Sequence, residues 1–463
     1  MLSYGAFSEA FQGRLAGRRV PLNGTIEVTR RCPLTCLHCY NNLPMNDGEA
    51  RGRELDYDEH CRLLDELADA GCLWLLYTGG EIFARRDFLD IYTYAKKKGF
   101  LITLFTNGTL VTERIADHLV KWRPFAIEIT LYGLTKDTYE RLTGIPGSYD
   151  KCMRGIRVLL ERGLPLALKT VAVSTNRHEI PAMQRFVEDE LGVKFKFDSM
   201  INPRVDCSQS PLDVRLAPEE CVALDLADPK RSDEWIQFAD QVRHAMEKMP
   251  PNDTVYQCGG GVSSFAVDPY GRLSICVLSE THKYDIRAGS LREGWDGFLH
   301  QQRVRTITRP TKCVACTLKS VCGMCPANGE LENGDPEAPV DWLCQTAHLR
   351  AMALDIPITP HGECEYCEGG VGHRHIVDAA ARLRRGARTI DQPPPTITRD
   401  GNLFLRVVNV PAASGCGSCG THYKGETQEQ ERKHGRDHFE RSGRGTEEAL
   451  CQTADSGGAA AAR

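Results

Sequence analysis

No stretch of the 463 residues approaches the ~18 consecutive apolar residues of a membrane-crossing helix, so a helical membrane protein is not expected. The first 21 residues also lack a secretory apolar segment, because Arg14, Arg18 and Arg19 interrupt them, and a cytoplasmic location is expected instead. An excess of basic charge is missing too. The 57 Lys and Arg against 62 Asp and Glu leave a net charge of -5, which argues against a general nucleic-acid surface. No residue stands out as a general acid or base. Beyond residue 412 apolar residues become scarce, and disorder is expected past about residue 420. One more absence is chemical. The segment Cys32-Pro33-Leu34-Thr35-Cys36-Leu37-His38-Cys39 sets three thiols in the spacing C-x3-C-x2-C, one short of the four that close an iron-sulfur cube or a zinc tetrahedron. A missing protein ligand is an open coordination site.

What the chain has in abundance is cysteine, 20 in all. In a short secreted chain that number would mean disulfides; here a 41% hydrophobic content supplies a core, and the tight C-x2-C groups favour metal binding in a reducing compartment. At this cysteine content the first motif arises by chance about 0.04 times, so its surroundings matter. Runs of strand character at 25–29, 73–77, 101–106, 125–131, 165–173 and 194–200 alternate with helical spacing at 58–70, 88–98, 112–122, 149–162 and 179–191, several of them closing at Gly71, Gly99 or Gly163. Strict alternation implies an α/β fold with a parallel sheet, and six units suit a partial (β/α)6 TIM-like barrel. Parallel barrels gather ligands at the carboxyl ends of their strands, where Cys32, Gly80, Asn107 and Thr130 fall.

The cysteine motif after the first strand, with Thr78-Gly79-Gly80-Glu81 after the second, resembles the radical S-adenosylmethionine (SAM) superfamily. The resemblance implies a radical SAM barrel in which Cys32, Cys36 and Cys39 hold a 4Fe-4S cluster whose fourth iron takes the amine and carboxylate of S-adenosyl-L-methionine. It implies that Gly79, Gly80 and Glu81 receive that amino group, that Asn107 of Thr106-Asn107-Gly108 lies near the cofactor, that Thr130 bonds its ribose or carboxylate, and that His38 packs by the adenine. Plainer readings stand beside these: a tight turn at Gly79-Gly80, an Asn-Gly turn at Asn107-Gly108, and a structural strand threonine at Thr130.

A second constellation begins after the barrel. Cys258, then Gly271 and Cys276, precede Cys313-x2-Cys316-x5-Cys322-x2-Cys325 and finally Cys344; the four-cysteine block arises by chance roughly 0.002 times. The pattern resembles the SPASM extension of peptide-modifying radical enzymes, with two auxiliary 4Fe-4S clusters. By that resemblance Cys313, Cys316, Cys322 and Cys344 bind one cluster, and Cys258, Cys276 and Cys325 hold the other. The block closes C-x2-C where those families have C-x3-C. Residues 259–264 lack the extra cysteine of sulfatase-maturating relatives. A pair of structural zinc sites is the alternative for the same spacings. A hairpin is expected at 265–273.

The expected organisation is an N-terminal extension at 1–21, the barrel at 22–215, a helical linker at 216–257, a cysteine-rich SPASM domain at 258–360, an extension with further cysteines at 361–420 and a disordered C-terminal tail at 421–463. In the extension, Cys364-x2-Cys367 and Cys416-x2-Cys419 flank a helical run at 375–385. They are read as a metal clip, with residues around Cys416 alternatively an inert tail or a fused peptide substrate. Cys61, Cys72, Cys152, Cys207 and Cys221 are expected to be small buried residues. The functional expectation is a radical SAM enzyme that modifies a peptide or small protein by crosslinking or oxidation, with an electron donor such as flavodoxin or ferredoxin. Action on a small molecule or tetrapyrrole precursor is the runner-up. A non-catalytic iron-sulfur or zinc scaffold is the reading from another class, and the complete Cys32, Cys36 and Cys39 set argues against it.

Overall fold

The computed structural model describes residues 4–15, 17–248 and 253–387. Six parallel strands form its centre: β1 (Asn23–Thr29), β2 (Trp74–Gly79), β3 (Leu101–Thr106), β4 (Ala126–Thr130), β5 (Leu166–Val171) and β6 (Lys194–Asp198). They pair in chain order, from Asn23 opposite Trp74 at one side to Val171 opposite Asp198 at the other. Each expected strand is present, with ends displaced by two residues at most. The sheet is open and parallel, with helices in its crossovers, as the partial barrel requires.

The sheet does not stop at β1. Three later strands, β7 (Ser264–Val267), β8 (Arg272–Ser274) and β9 (Tyr284–Asp285), extend it to nine in the order β9-β8-β7-β1-β2-β3-β4-β5-β6. β7 runs parallel to β1, with Asn23 opposite Ser264 and Ile26 opposite Val267. β8 then turns back antiparallel through Asp268-Pro269-Tyr270-Gly271. The expected hairpin is present, and it continues the barrel sheet.

The helices are amphipathic for the reason their spacing gives. Tyr57–Asp69 buries His60, Leu63, Leu64 and Leu67; Phe88–Lys97 buries Phe88, Ile91, Tyr92 and Ala95. These stripes cover Ile26, Val28, Leu75, Tyr77, Ile102, Leu104, Ile127, Ile129 and Leu168 of the strands, all within one core. Asp56 opens the first helix with a reciprocal capping pair: its side chain accepts from the Glu59 amide, and Glu59 accepts from the Asp56 amide, both at 2.8 Å. The run expected at 179–191 is helical from Ile180 to Arg185 and then widens into a looser turn at Phe186–Glu190. Lys136–Thr143, a helix without an expected counterpart, shares the β4–β5 crossover with Ser148–Glu161. It is capped by Thr135, whose side chain accepts from the Thr138 amide, and ends at left-handed Gly144.

Helices Pro218–Ala227 and Pro229–Lys248 fill the linker. Helices Asp341–Ala353 and His373–Ala387 pack with the first of them around Val222, Leu349, Ile376 and Ala380. Among the described residues every cysteine is free, and no helix is long and apolar enough to cross a membrane. The expected tail, Cys416 and Cys419 lie outside the described residues.

One contact ties a crossover helix to the strand ends. A Cβ built on Gly155 in helix Ser148–Glu161 would sit 2.2 Å from the Gly108 carbonyl oxygen. Alanine is the better helix former by about 1 kcal/mol, but overpacking costs about 1–3 kcal/mol when backbone must move. Gly155→Ala is therefore expected to lower the urea denaturation midpoint, followed by circular dichroism under anaerobic conditions. A raised midpoint would mean that propensity outweighs the contact.

Candidate active site and cysteine-rich centres

The carboxyl end of β1 leads directly into the three-cysteine loop. Arg31–Cys32 pairs in parallel with Leu43–Pro44, which fastens both ends of that loop. Its middle is held from two sides. The amides of Thr35 and Leu37 donate to the carbonyls of Thr143 and Leu142 at 2.9 and 3.1 Å. From the other side the Arg204 guanidinium donates to the Cys39 carbonyl (3.1 Å), the Asn42 carbonyl (2.8 Å) and Asn42 Oδ1 (2.8 Å). A helix that the residue spacing did not announce and an arginine without a motif thus shape the cysteine loop.

The three thiols converge. Cys32 and Cys36 are buried in one small cluster with Leu34, Leu142 and Val173, and Cys39 packs against it. Burial, and then the nearby Glu81 carboxylate, pushes the Cys32 thiol up to about 12. Burial, followed by the proximity of Cys39 and Cys32, raises Cys36 well above its ordinary value, and burial raises Cys39. Three mutually repelling thiols in an apolar pocket are stable as thiolates only against a cation, and coordination deprotonates them outright. The donor set fits an iron-sulfur cluster. Tyr132, which carries no motif in the sequence, packs against the cluster that holds Cys36.

Gly79 and Gly80 close the mouth beside them. A Cβ on Gly79 would meet the Thr29 carbonyl oxygen at 2.1 Å, and one on Gly80 the carbonyl oxygens of Arg30 at 2.4 Å and Arg31 at 2.6 Å. Gly79 also has φ +133°, a conformation that side chains rarely adopt. The turn reading and the binding reading meet here, since the backbones touch immediately before Cys32. Glu81 is nearly fully buried, and both its oxygens are committed to the protein: Oε1 accepts from Thr106 Oγ1 (2.7 Å) and the Phe83 amide (3.2 Å), Oε2 from the Asn107 amide (2.8 Å). It pins the end of β2 to the end of β3.

Asn107 stands in an Asn-Gly turn, with Gly108 at φ +77°, and also touches the cysteines. Its Nδ2 donates to Cys32 Sγ at 3.5 Å while its Oδ1 accepts from the Thr109 amide and hydroxyl. His38 is half-buried, its ring 5.2 Å from that of Tyr132, and its enclosed Nδ1 has no hydrogen-bond partner. Burial depresses its pKa to about 4, so the imidazole is neutral at physiological pH. Thr130 ends β4, opposite Lys169 of β5.

The later cysteines form two groups. Cys313, Cys316, Cys322 and Cys344 line one cavity together with Lys312 and His348. Cys258, Cys276 and Cys325 neighbour one another; burial and then Cys325 push Cys276 up to about 12, and burial raises Cys325 with Cys258 contributing. Arg303, unforeseen in the sequence, faces Cys258 with an enclosed Nη1 that has no hydrogen-bond partner. Cys364 and Cys367 lie against His348 and His361, two histidines that also line the Cys313 cavity. Of the single cysteines, Cys72, Cys152 and Cys221 are buried and Cys61 is half-buried. Cys207 is exposed, contrary to expectation, because it occupies a surface turn at φ +65° in which its amide donates to the Arg204 carbonyl.

Residues 26–187 match the family profile of the Radical SAM superfamily. The chain is a radical SAM enzyme. Its cofactors are a 4Fe-4S cluster and S-adenosyl-L-methionine. The chain is 24% identical over 335 residues to a PqqA peptide cyclase of Granulibacter bethesdensis, covering 68% of this chain and 86% of that protein. It is 25% identical over 333 residues to an AdoMet-dependent heme synthase of Methanosarcina barkeri, covering 67% and 92%. The fold is similar to that of Streptococcus suis SuiB bound to precursor peptide SuiA, with a TM-score of 0.53 and 18% identity over 74% of this chain and 81% of SuiB.

The Arg204 clamp yields a direct test. Hydrogen bonds to charged groups contribute about 1.5–3 kcal/mol each, so Arg204→Ala is expected to speed local amide exchange at residues 36–42 by at least about tenfold. Hydrogen-exchange mass spectrometry of the anaerobic protein reads this out. Unchanged protection there would assign the loop's order to the Thr143 side alone.

Proposed function

We propose that the enzyme reductively cleaves S-adenosyl-L-methionine and uses the resulting radical to crosslink or oxidise a peptide or small protein. The observation that carries this reading is the convergence of Cys32, Cys36 and Cys39 with Gly79, Gly80 and Asn107 at one mouth of the barrel. Support for a peptide comes from the PqqA peptide cyclase similarity, which spans most of both chains, and from the SuiB fold. The heme synthase similarity covers as much sequence and supports a second reading, action on a tetrapyrrole precursor.

In this reading Cys32, Cys36 and Cys39 would hold the cluster and leave a coordination position open for S-adenosyl-L-methionine. Bound there, the pair supplies an electron and a 5'-deoxyadenosyl radical that takes hydrogen from an unactivated C-H bond. The chain's own residues do the rest. Gly79 and Gly80 let backbone groups approach the amino end of the cofactor, while Glu81 acts as a positioning residue, fixing that turn through Thr106 and Asn107. Neutral His38 beside Tyr132 offers a flat apolar wall to the adenine, and Thr130 a hydroxyl to the ribose or carboxylate. Asn107 directs a hydrogen bond at the Cys32 sulfur, one of the levers that set cluster potential.

Downstream, Cys313, Cys316, Cys322 and Cys344 would complete one auxiliary cluster. Cys258, Cys276 and Cys325 would hold a second with one position open. Removing two hydrogens from a peptide leaves an electron and a proton to be taken up after the first abstraction, and auxiliary clusters held by these cysteines would be able to accept that electron. The first electron comes from a low-potential donor such as flavodoxin or ferredoxin, in a reducing cytoplasm consistent with free thiols throughout the described residues.

Anaerobically reconstituted enzyme with dithionite is expected to release 5'-deoxyadenosine from the cofactor, and Cys36→Ala to lose that release. Iron should total about twelve per chain, four for each of three clusters. Supplied with a small Cys-rich or Gly-rich peptide encoded beside its gene, the enzyme is expected to lower the peptide mass by two hydrogens, stable to thiol reduction. Turnover of an iron coproporphyrin with the peptide left untouched would select the second reading. Equal 5'-deoxyadenosine release by Cys36→Ala would reject the cluster assignment.

A further inference from the structure

We propose that His348, His361, Cys364 and Cys367 form a mononuclear zinc site that adjoins the Cys313 group, whose cavity both histidines also line. All four residues are buried, and one ligand atom from each lies within 4.8 Å of all the others. Two edges of the set are explicit: His348 Nε2 stands 3.4 Å from Cys364 Sγ and 3.6 Å from Cys367 Sγ. A tetrahedral zinc ion with Zn–S of about 2.3 Å and Zn–N of about 2.0–2.1 Å requires an S···N edge of about 3.5 Å. The observed edges meet that value within a tenth of an ångström or so.

The tautomer of His348 agrees. Its Nδ1 lies 2.7 Å from the Cys344 carbonyl oxygen, which can only accept, so Nδ1 carries the proton and Nε2 turns its lone pair toward both thiols. A ring nitrogen held by a backbone carbonyl is the usual support of a metal-bound histidine. His361 is nearly fully buried. Its Nδ1 lies 3.0 Å from the Thr359 carbonyl oxygen, so Nδ1 carries the proton and the lone pair sits on Nε2, which is enclosed and has no hydrogen-bond partner among the described residues. Protein groups alone leave this ring one partner short.

Other occupants fit less well. A [2Fe-2S] centre with two cysteines and two histidines places its thiolates on one iron and its imidazoles on the other, and a four-iron cube spreads its ligands further still. Neither closes within the 4.8 Å span. A mixed S2N2 tetrahedron is the donor set of zinc, and binding it releases the two thiol protons.

Position gives the site its role. Cys364 and Cys367 sit in a knuckle where the Gly370 amide donates to the Cys367 carbonyl at 2.9 Å and the Gly372 amide to the Glu365 carbonyl at 2.8 Å; helix His373–Ala387 starts at once. His348 lies on helix Asp341–Ala353, one turn from Cys344, whose Sγ is 3.9 Å from His348 Nδ1. A redox-inert ion here would lock the last described helix to the helix that supplies one wall of the Cys313 cavity, without exchanging electrons with it.

The test uses the full-length protein, expressed with iron and zinc in the medium and purified anaerobically. About one zinc per chain is expected by mass spectrometry of the metals, and zinc X-ray absorption of the wild type should show two sulfurs at about 2.3 Å and two nitrogens at about 2.0 Å. A Cys364→Ser, Cys367→Ser double variant should lose at least nine-tenths of the zinc and keep its iron. Wild-type protein without zinc, a zinc shell of four sulfurs, or a double variant that sheds a cluster's worth of iron while holding its zinc would each overturn the assignment. If the double variant proves insoluble, the wild-type absorption spectrum by itself confirms or overturns the two-sulfur, two-nitrogen shell.

Discussion

Two strand ends meet with no side chain between them, and the mouth of the barrel depends on that approach. Gly79 and Gly80 press against the carbonyls of Thr29, Arg30 and Arg31, close enough that any Cβ would overlap a backbone oxygen. The Gly80 and Glu81 amides donate to the Thr29 and Arg31 carbonyls at 2.7 and 3.1 Å, so the polar groups of both ends are satisfied where they touch. Cys32 follows directly. Side chains then complete the clamp: Arg31 forms a two-pronged bond to Glu54 at 2.9 Å, Thr29 bonds the same carboxylate, and Asn107 reaches Cys32 from β3. A cluster ligand is useful only if its sulfur does not wander, and the immobility here comes from backbone contact that no rotamer change can relax.

The same strand end carries charge into the later part of the chain. Glu27, fully buried on β1, meets Arg30 at 3.4 Å, and Arg30 meets Glu280 at 3.1 Å; Lys283 then bridges Glu280 at 2.8 Å and Asp268 at 3.1 Å. Tyr40 and Asn41 of the cysteine loop donate to the other oxygen of Glu27. Buried ion pairs add little net stability, because desolvation offsets their attraction, but breaking one strands a charge and fixes the relative placement of its neighbours. This chain of pairs links the first cysteine loop to the turn after β7 and to the segment following Cys276. Continuity of β7 with β1 does the same through backbone bonds. Barrel and cysteine-rich region are therefore registered twice, which suits chemistry that needs an electron to leave the substrate along a fixed route.

Much of this was legible in the sequence where the signal is local. The six parallel strands announce themselves by apolar, β-branched runs bounded by turn residues, and the spacing of Cys32, Cys36 and Cys39 brings their thiols together because that motif sits in one short loop. Non-local pairing was not legible: β7 joins β1 across some 240 residues, and nothing in residues 264–267 names that partner. Helix Lys136–Thr143 escaped because it shares a crossover with a second helix and breaks the strict alternation. Arg204, Tyr132, Arg303, His348 and His361 carry no motif; each acquires its part from what the fold brings opposite. Glu81 is read from its motif as receiving the cofactor's amino group; its bonds to Thr106 and the Asn107 amide, which join β2 to β3, are contacts that the motif does not name.

The two histidines also explain why a metal of a different kind belongs beside the iron sites. Thiolate-only sites, like the Cys313 group, suit iron-sulfur assembly, in which the potential must be tunable. Replacing two thiolates by imidazoles removes two negative charges and contracts the ligand set around one ion. His348 faces both kinds of site at once, its Nδ1 3.9 Å from Cys344 Sγ and its Nε2 3.4 Å from Cys364 Sγ. An ion that cycled between oxidation states there would shift the charge next to Cys344 at each turnover and drag the cluster's potential with it. Zinc does not cycle. Placing it at that ring would give helix Asp341–Ala353 a fixed charge and a fixed orientation, and a cluster on the Cys313 group would then change its own charge without moving its ligands.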